Sequence, residues 1–304
     1  MVKNFIKKII RFFVPVILLI FLLQTITSNW QEVLLYFKNF RILPLVFSFG
    51  LLLLIYPESA LAWYMLTKKI GVKISFKNAL YLWIISNTSR YIPGTIWQYI
   101  GRIELGQQIG IARKEGMLAV FYETFLTIIS GGLVSFFALS YWAAIGIKPY
   151  IIIIGLIITL IFIHPRILNS IFLILAKLSR KRELNIIPLR IQDYVVILPF
   201  FFTNFILNGL ALVFLVAAFT NNLQIEKLFF FSGIYSLSWL VGYFSIFAPG
   251  GIGVAEVSLA LLLSLQFPLP LASAITIIYR FLLIIAELLI FIFILKFRNN
   301  KIFL

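Results

Sequence analysis

Ala248-Pro249-Gly250-Gly251-Ile252-Gly253-Val254-Ala255-Glu256 cuts through an apolar stretch over residues 228–266. Ser89-Arg90-Tyr91-Ile92-Pro93-Gly94-Thr95-Ile96-Trp97 does the same to a stretch over 79–110. Proline withholds a backbone donor and clashes with the preceding turn, and glycine lets the chain leave the helical region. Each stretch therefore reads as two half-helices meeting at a break. Trp83 stands ten residues before Pro93 and Trp239 ten before Pro249, so the two stretches match in more than their prolines.

Around the breaks lie runs long enough to cross about 30 Å of hydrocarbon, which takes about 20 apolar residues. They fall near 9–27, 42–66, 115–141, 149–163, 193–219 and 269–297, the fourth being short and extendable upstream into Trp142–Ile147. Of 304 residues, 62% are hydrophobic and 12% charged, against roughly 45–50% and about 25% in soluble domains. A mean hydropathy of +1.07 leaves no charged shell for a water-soluble fold. The expected class is an all-α polytopic membrane protein, one integral membrane domain over 1–304. The first run begins like a signal peptide, but no small-residue cleavage site follows it, so it is expected to stay as an anchor.

Lys and Arg decide whether the broken stretches cross or return. If both return as re-entrant hairpins and the N-terminus is cytoplasmic, the basic clusters at 3–11, 68–77, 113–114, 166–190 and 296–301 share the inner side. Only Lys38, Arg41, Lys148 and Lys227 then face outward. Crossing would turn the six basic residues of 166–190 outward, against the positive-inside bias. The expected architecture is about six transmembrane helices plus two re-entrant hairpins, with both termini cytoplasmic in the cell membrane. Each half reads span, span, Pro-Gly hairpin, span, over about 1–141 and 149–304, and matching spans run in opposite directions. Such inverted-topology repeats build secondary transporters, with substrate sites where discontinuous helices meet near the midplane. A chance match of Trp and Pro-Gly in an aromatic-rich chain is the plainer reading, and the charge topology argues against it.

The net charge of +16 needs no nucleic acid, since topology and contact with anionic lipid account for it. The segment after Ile167–Leu178, basic at 177–182, reads as an amphipathic piece on the inner leaflet. Cys is absent, and His164 and Asp193 are the only residues of their kinds. No thiolate chemistry, aspartyl pair or well-placed Ser/His dyad is expected, and His164 reads as interfacial. Ser130-Gly131-Gly132 reads as small-residue packing. No nucleotide-, metal- or donor-binding motif is visible, so neither cofactor nor metal is expected.

Charges at membrane depth cost roughly 2.5–3.5 kcal/mol each on insertion scales, so they need partners or water. The candidates are Glu58, Arg90, Arg102, Glu104, Glu123, Glu256, Arg280 and Glu287. They can form a compensating network between the hairpins and the spans that follow them, for instance Glu123 with Arg90 and Glu256 with Arg280. Such a network is either a polar path or a lattice that only holds the hairpins. Glu58 and Glu287 have weaker claims and read as protonated carboxyls in helix interfaces, and Glu104 as interfacial. Each second half-helix starts near mid-membrane with free N–H groups, a setting for phosphate or carboxylate. Gly94, Gly250, Gly251 and Gly253 would let the backbone approach an anion beside Arg90 and Arg102, or would merely allow the turn.

The run from Ser89 to Arg102 resembles the R-Y-x-P-G-x-x-W signature of the lysylphosphatidylglycerol synthase transmembrane (flippase-like) family. Pro249 to Glu256 is similar to its second motif, P-G-G-x-G-x-x-E. Glu123 and Tyr279-Arg280 stand where that family carries a Glu and an Arg, and the likeness extends over about residues 9–297. It implies that the module moves a lipid or lipid-linked headgroup between leaflets. The implied headgroup site comprises Arg90, Tyr91, Pro93, Gly94, Trp97, Arg102, Glu123, Pro249, Gly250, Gly251, Gly253, Glu256 and Arg280. With the chain ending at Leu304, the soluble aminoacyl-transferase domain of bifunctional members is not expected, nor its synthase activity.

The expected function is thus a lipid translocator and not an enzyme, acting on membrane lipids that are anionic or lipid-linked. One rival is an accessory subunit that stabilises a lipid or glycan synthase. Another is a membrane transferase using Glu123 or Glu256 as general base. A partner synthase and a second copy of the chain are the protein partners left open.

Overall fold

The computed structural model describes residues 16–38, 40–92, 96–138, 150, 154–155, 157, 164–178, 189–245 and 248–299. Among them every regular element is helical. The helices are α1 (Val16–Ser28), α2 (Trp30–Lys38), α3 (Ile42–Lys69), α4 (Phe76–Asn87), α5 (Trp97–Gln108) and α6 (Arg113–Ser135). There follow α7 (Pro165–Leu178), α8 (Ile191–Thr220), α9 (Leu228–Phe244), α10 (Val254–Leu263) and α11 (Leu269–Asn299).

Among the described residues, four helices are long and apolar enough to cross a membrane: Ile42–Lys69, Arg113–Ala138, Ile191–Thr220 and Leu269–Lys296. The pair α1 and α2, bent by 75°, makes a fifth if taken as one span. The expected run at 149–163 lies almost wholly outside the described residues. The segment at 30–38, read from the sequence as an outer loop, is helical.

The long helices α3 and α8 run antiparallel over their whole length. Arg41 N–H donates to Ala218 O at 2.9 Å, Ser48 Oγ to Ala211 O at 2.7 Å, and Lys69 pairs with Asp193 at 3.1 Å. Both helices feed two apolar cores. One joins the first half of α3 and the second half of α8 to α9, α10 and α11. The other joins their opposite ends to α4, α6 and α7, where Phe172 packs edge-on against Phe121.

Both broken stretches fold into helical hairpins. Along α4 and α5, Arg102 Nε donates to Ser86 Oγ at 2.9 Å and Gly101 faces Ser86. Along α9 and α10, Gly242 faces Ala255 so closely that an added Cβ would lie 2.8 Å from the alanine's. At about 1.5 Å per residue the 12-residue α4 and α5 each reach only about 18 Å, too short to span the hydrocarbon.

Small residues let neighbouring helices touch. Ser236 Oγ donates to Gly131 O, and Gly131 lies under the Phe205 ring. The tightest approach is α8 on α9, where a Cβ on Gly209 would fall 2.6 Å from Ser232 Cα and N. Backbone cannot swing aside as a side chain can, so Gly209→Ala should cost about 1–3 kcal/mol or more. Gly50 in α3 meets nothing within 4 Å, so Gly50→Ala should be neutral or stabilise by up to ~1 kcal/mol. Thermal unfolding of both variants in detergent checks the contrast.

Candidate functional site

The two breaks come to the same place. α4 tightens into a 3-10 turn, Thr88–Tyr91, and the chain is extended at Ile92 before α5 begins at Trp97. On the other side Pro249–Gly251 forms a single turn, with φ of 59° at Gly250, 72° at Gly251 and 81° at Gly253. Only glycine takes three such left-handed conformations at little cost. Gly250 lies against the Tyr91 ring and the Arg90 carbonyl, at 3.6 and 3.7 Å from where a Cβ would stand. The tips of the two hairpins therefore touch.

Three ion pairs tie the hairpins to the spans beside them. Arg102 on α5 is almost fully buried and binds Glu123 on α6, which also accepts from Trp83 Nε1 at 2.8 Å. The Arg102 guanidinium lies over the Trp83 and Trp63 rings, at 5.2 and 5.7 Å from their centroids. Arg280 on α11 pairs with Glu256 on α10 at 3.2 Å, and the other Glu256 oxygen accepts the Gly253 N–H at 2.6 Å. Arg90 at the first tip pairs with Glu287 on α11 at 2.6 Å. Glu287 also accepts from Tyr91 OH at 2.6 Å and Asn87 Nδ2 at 2.9 Å.

Arg90, Arg102, Glu123, Glu256 and Arg280 border a cavity of about 230 Å³ between the two cores. Trp83 and Trp239, the matched tryptophans of the two halves, both line it. Trp239 stacks on Tyr243, whose hydroxyl meets that of Tyr99 at 2.9 Å across the hairpins. Not every donor is used: among the described residues, Arg280 Nε and Nη2 and Arg90 Nε are buried without hydrogen-bond partners. The arginines hold unspent capacity for an acceptor.

Of the residues singled out from the sequence, Arg90, Arg102, Glu123 and Glu256 line this cavity, as do Arg280, Gly250 and Gly251. Tyr91, Pro249 and Gly253 belong to the two tips beside it. Trp97, 43% exposed, opens α5 and is not part of the lining. Pro93 and Gly94 lie outside the described residues. Glu256 takes Arg280, whereas Glu123 takes Arg102 and not Arg90, because Arg102 sits on the helix that packs against α6 while Arg90 sits at the tip facing α11. Glu287, read from the sequence as a protonated interface carboxyl, is the partner of Arg90. Glu104 is half-exposed and pairs with Arg113 at 3.3 Å. At the start of α10, the Gly253 N–H that the sequence offered to a headgroup is held by the Glu256 carboxylate.

Sequence reasoning passed over Asn87, Asn204, Asn208 and Tyr99, all of which line the cavity. An amide inside an apolar run was the available signal for the first three, since buried amides need partners.

A family model for the lysylphosphatidylglycerol synthase TM region matches residues 8–290. Comparison with curated proteins found no match. The apolar helices and the family match together make this a multi-pass membrane protein with a role related to membrane lipid.

Proposed function

We propose that this chain, which belongs to the lysylphosphatidylglycerol synthase TM-region family, is a flippase-like translocator of a phospholipid or lipid-linked headgroup and not an enzyme. One observation carries the reading: two broken-helix tips meet at a polar cavity inside an otherwise apolar bundle, beside buried arginine donors with no partner among the described residues. An isolated structural lattice would satisfy those donors, since each unpaired buried polar group costs about 1–3 kcal/mol. A phosphate entering beside Arg90 and Arg280 would supply the acceptors they lack.

In this reading the two hairpins are re-entrant and the halves are inverted repeats, in the cell membrane with both termini cytoplasmic. The antiparallel course of α3 and α8, which are the second spans of the two halves, supports that symmetry. Opening toward either leaflet then means exchanging partners among Glu123, Glu256, Glu287 and the three arginines while the tips rock past each other.

The test is lipid movement by purified protein in liposomes carrying fluorescent phosphatidylglycerol, its lysyl derivative or a polyprenyl phosphate. Arg90→Ala should lower the rate at least tenfold, the worth of about 1.4 kcal/mol of lost headgroup contact. The variant should stay folded, because Glu287 keeps Tyr91 and Asn87 as donors. No movement of any of the three lipids by folded wild type overturns the translocator and favours an accessory subunit of a synthase.

A further inference from the structure

Three of the four deep acids are neutralised, Glu123 by Arg102, Glu256 by Arg280 and Glu287 by Arg90. Glu58, midway along α3, makes no ion pair among the described residues. Its Oε2 accepts from Asn204 Nδ2 at 2.9 Å, and its Oε1 is buried with no hydrogen-bond partner among the described residues. It borders the same cavity. A carboxylate left this way in a low-dielectric site is far more costly than one held by an arginine.

The surroundings supply no competing charge close by. From the first hairpin and α6 the ionisable groups facing the cavity are Arg90, Arg102, Tyr99 and Glu123, and from α9, α10 and α11 they are Tyr235, Tyr243, Glu256, Tyr279 and Arg280. Each arginine among them already faces an acid in the pairs above, and Glu58 is in none of those pairs. α8 contributes amides, its acid Asp193 being held by Lys69 at the far end. On α3 itself, Tyr56 OH donates to Leu283 O at 2.9 Å.

A polar ladder leads from Glu58 across α8 to Tyr279 on α11. Asn204 Nδ2 also reaches Ser59 Oγ at 2.8 Å, Asn208 Nδ2 donates to Asn204 O at 2.8 Å, and Tyr279 OH donates to Asn208 Oδ1 at 2.7 Å. Tyr279 immediately precedes Arg280. Both helices of the Glu58–Asn204 contact carry a proline nearby, Pro57 in α3 and Pro199 in α8. Each removes a backbone hydrogen bond and leaves a place to bend.

We propose that Glu58 is a proton-binding site, and that its change between carboxylate and neutral acid is passed through Asn204, Asn208 and Tyr279 to the Arg280–Glu256 pair, coupling lipid movement to the proton gradient. The coupling rests on the translocator reading; the proton site does not. In the step, a proton from cavity water adds to a Glu58 carboxylate oxygen, and its release to the other side restores the charge, with no other bond made or broken.

Infrared difference spectroscopy between two pH values reads the site directly on purified protein. Wild type should show a titrating carboxylic C=O band that is lost in Glu58→Gln and is shifted but retained in Asn204→Leu. An unchanged band in Glu58→Gln overturns the proposal. In liposomes, a one-unit pH gradient should shift the leaflet distribution of the moved lipid by up to about tenfold per coupled proton, and Glu58→Gln should abolish that response. Movement that follows a sodium gradient and ignores pH overturns the proton coupling. A titrating Glu58 band with no lipid moved overturns translocation, and with it the coupling, while the proton site stands.

Discussion

Arg102→Leu should destabilise the protein by about 3–5 kcal/mol, the usual cost of leaving a buried charge without its partner. Only 3% of Arg102 is exposed, and its guanidinium is spent on Glu123, Ser86 and the faces of two tryptophans. Removing it strands Glu123 between α5 and α6 with Trp83 Nε1 as its remaining side-chain donor. Arg102→Lys should fall in between, since one ammonium nitrogen cannot serve Glu123 and Ser86 as the separate guanidinium nitrogens do. The double variant Arg102→Leu/Glu123→Leu should recover most of the loss, because two apolar side chains replace a pair whose desolvation nearly offsets its attraction. Unfolding of wild type, Arg102→Leu, Glu123→Leu and the double variant in detergent measures the coupling as a double-mutant cycle. Simple additivity would mean that the pair does not hold the first hairpin.

Hydropathy made the long helices legible. Runs expected at 42–66, 193–219 and 269–297 are α3, α8 and α11, each extended by only a few residues at its ends. Their signal is strong because in lipid each span must be apolar along its whole length. The breaks were legible for a similarly local reason, since Pro-Gly acts on its own backbone. Charge pairing was not. Arg90 and Glu287 are 197 residues apart in sequence, and which arginine meets which acid depends on how each hairpin is rotated about its axis. A carboxylate on α6 cannot distinguish Arg90 from Arg102 by spacing alone. The amides on α8 were missed because Asn204 and Asn208 stand in a run that hydropathy averages into a plain span, while their side chains meet α3 and α11.

Glu287→Leu is expected to be the most damaging change at the hairpin tips. One buried carboxylate accepts from Arg90, Tyr91 and Asn87, so a single substitution takes the shared acceptor from three donors and leaves Arg90 Nη2 only the Tyr91 hydroxyl. Hydrogen bonds to a charged group are worth about 1.5–3 kcal/mol each, and the three do not add, so a loss of about 3 kcal/mol is a fair expectation. The effect should spread to the second hairpin, because Tyr91 is the surface on which Gly250 rests. Hydrogen exchange should therefore rise both over 88–92 and over 248–253, two segments far apart in sequence. Lipid movement should fall at least as far as in Arg90→Ala, which leaves the acceptor and two of its donors in place. Glu287→Gln separates charge from shape: its amide oxygen can still accept from Asn87, so the tips should keep much of their protection while Arg90 loses its counter-charge. If Glu287→Leu raises exchange only over 88–92, the two tips are not one mechanical unit, and rocking of one hairpin against the other loses its physical basis.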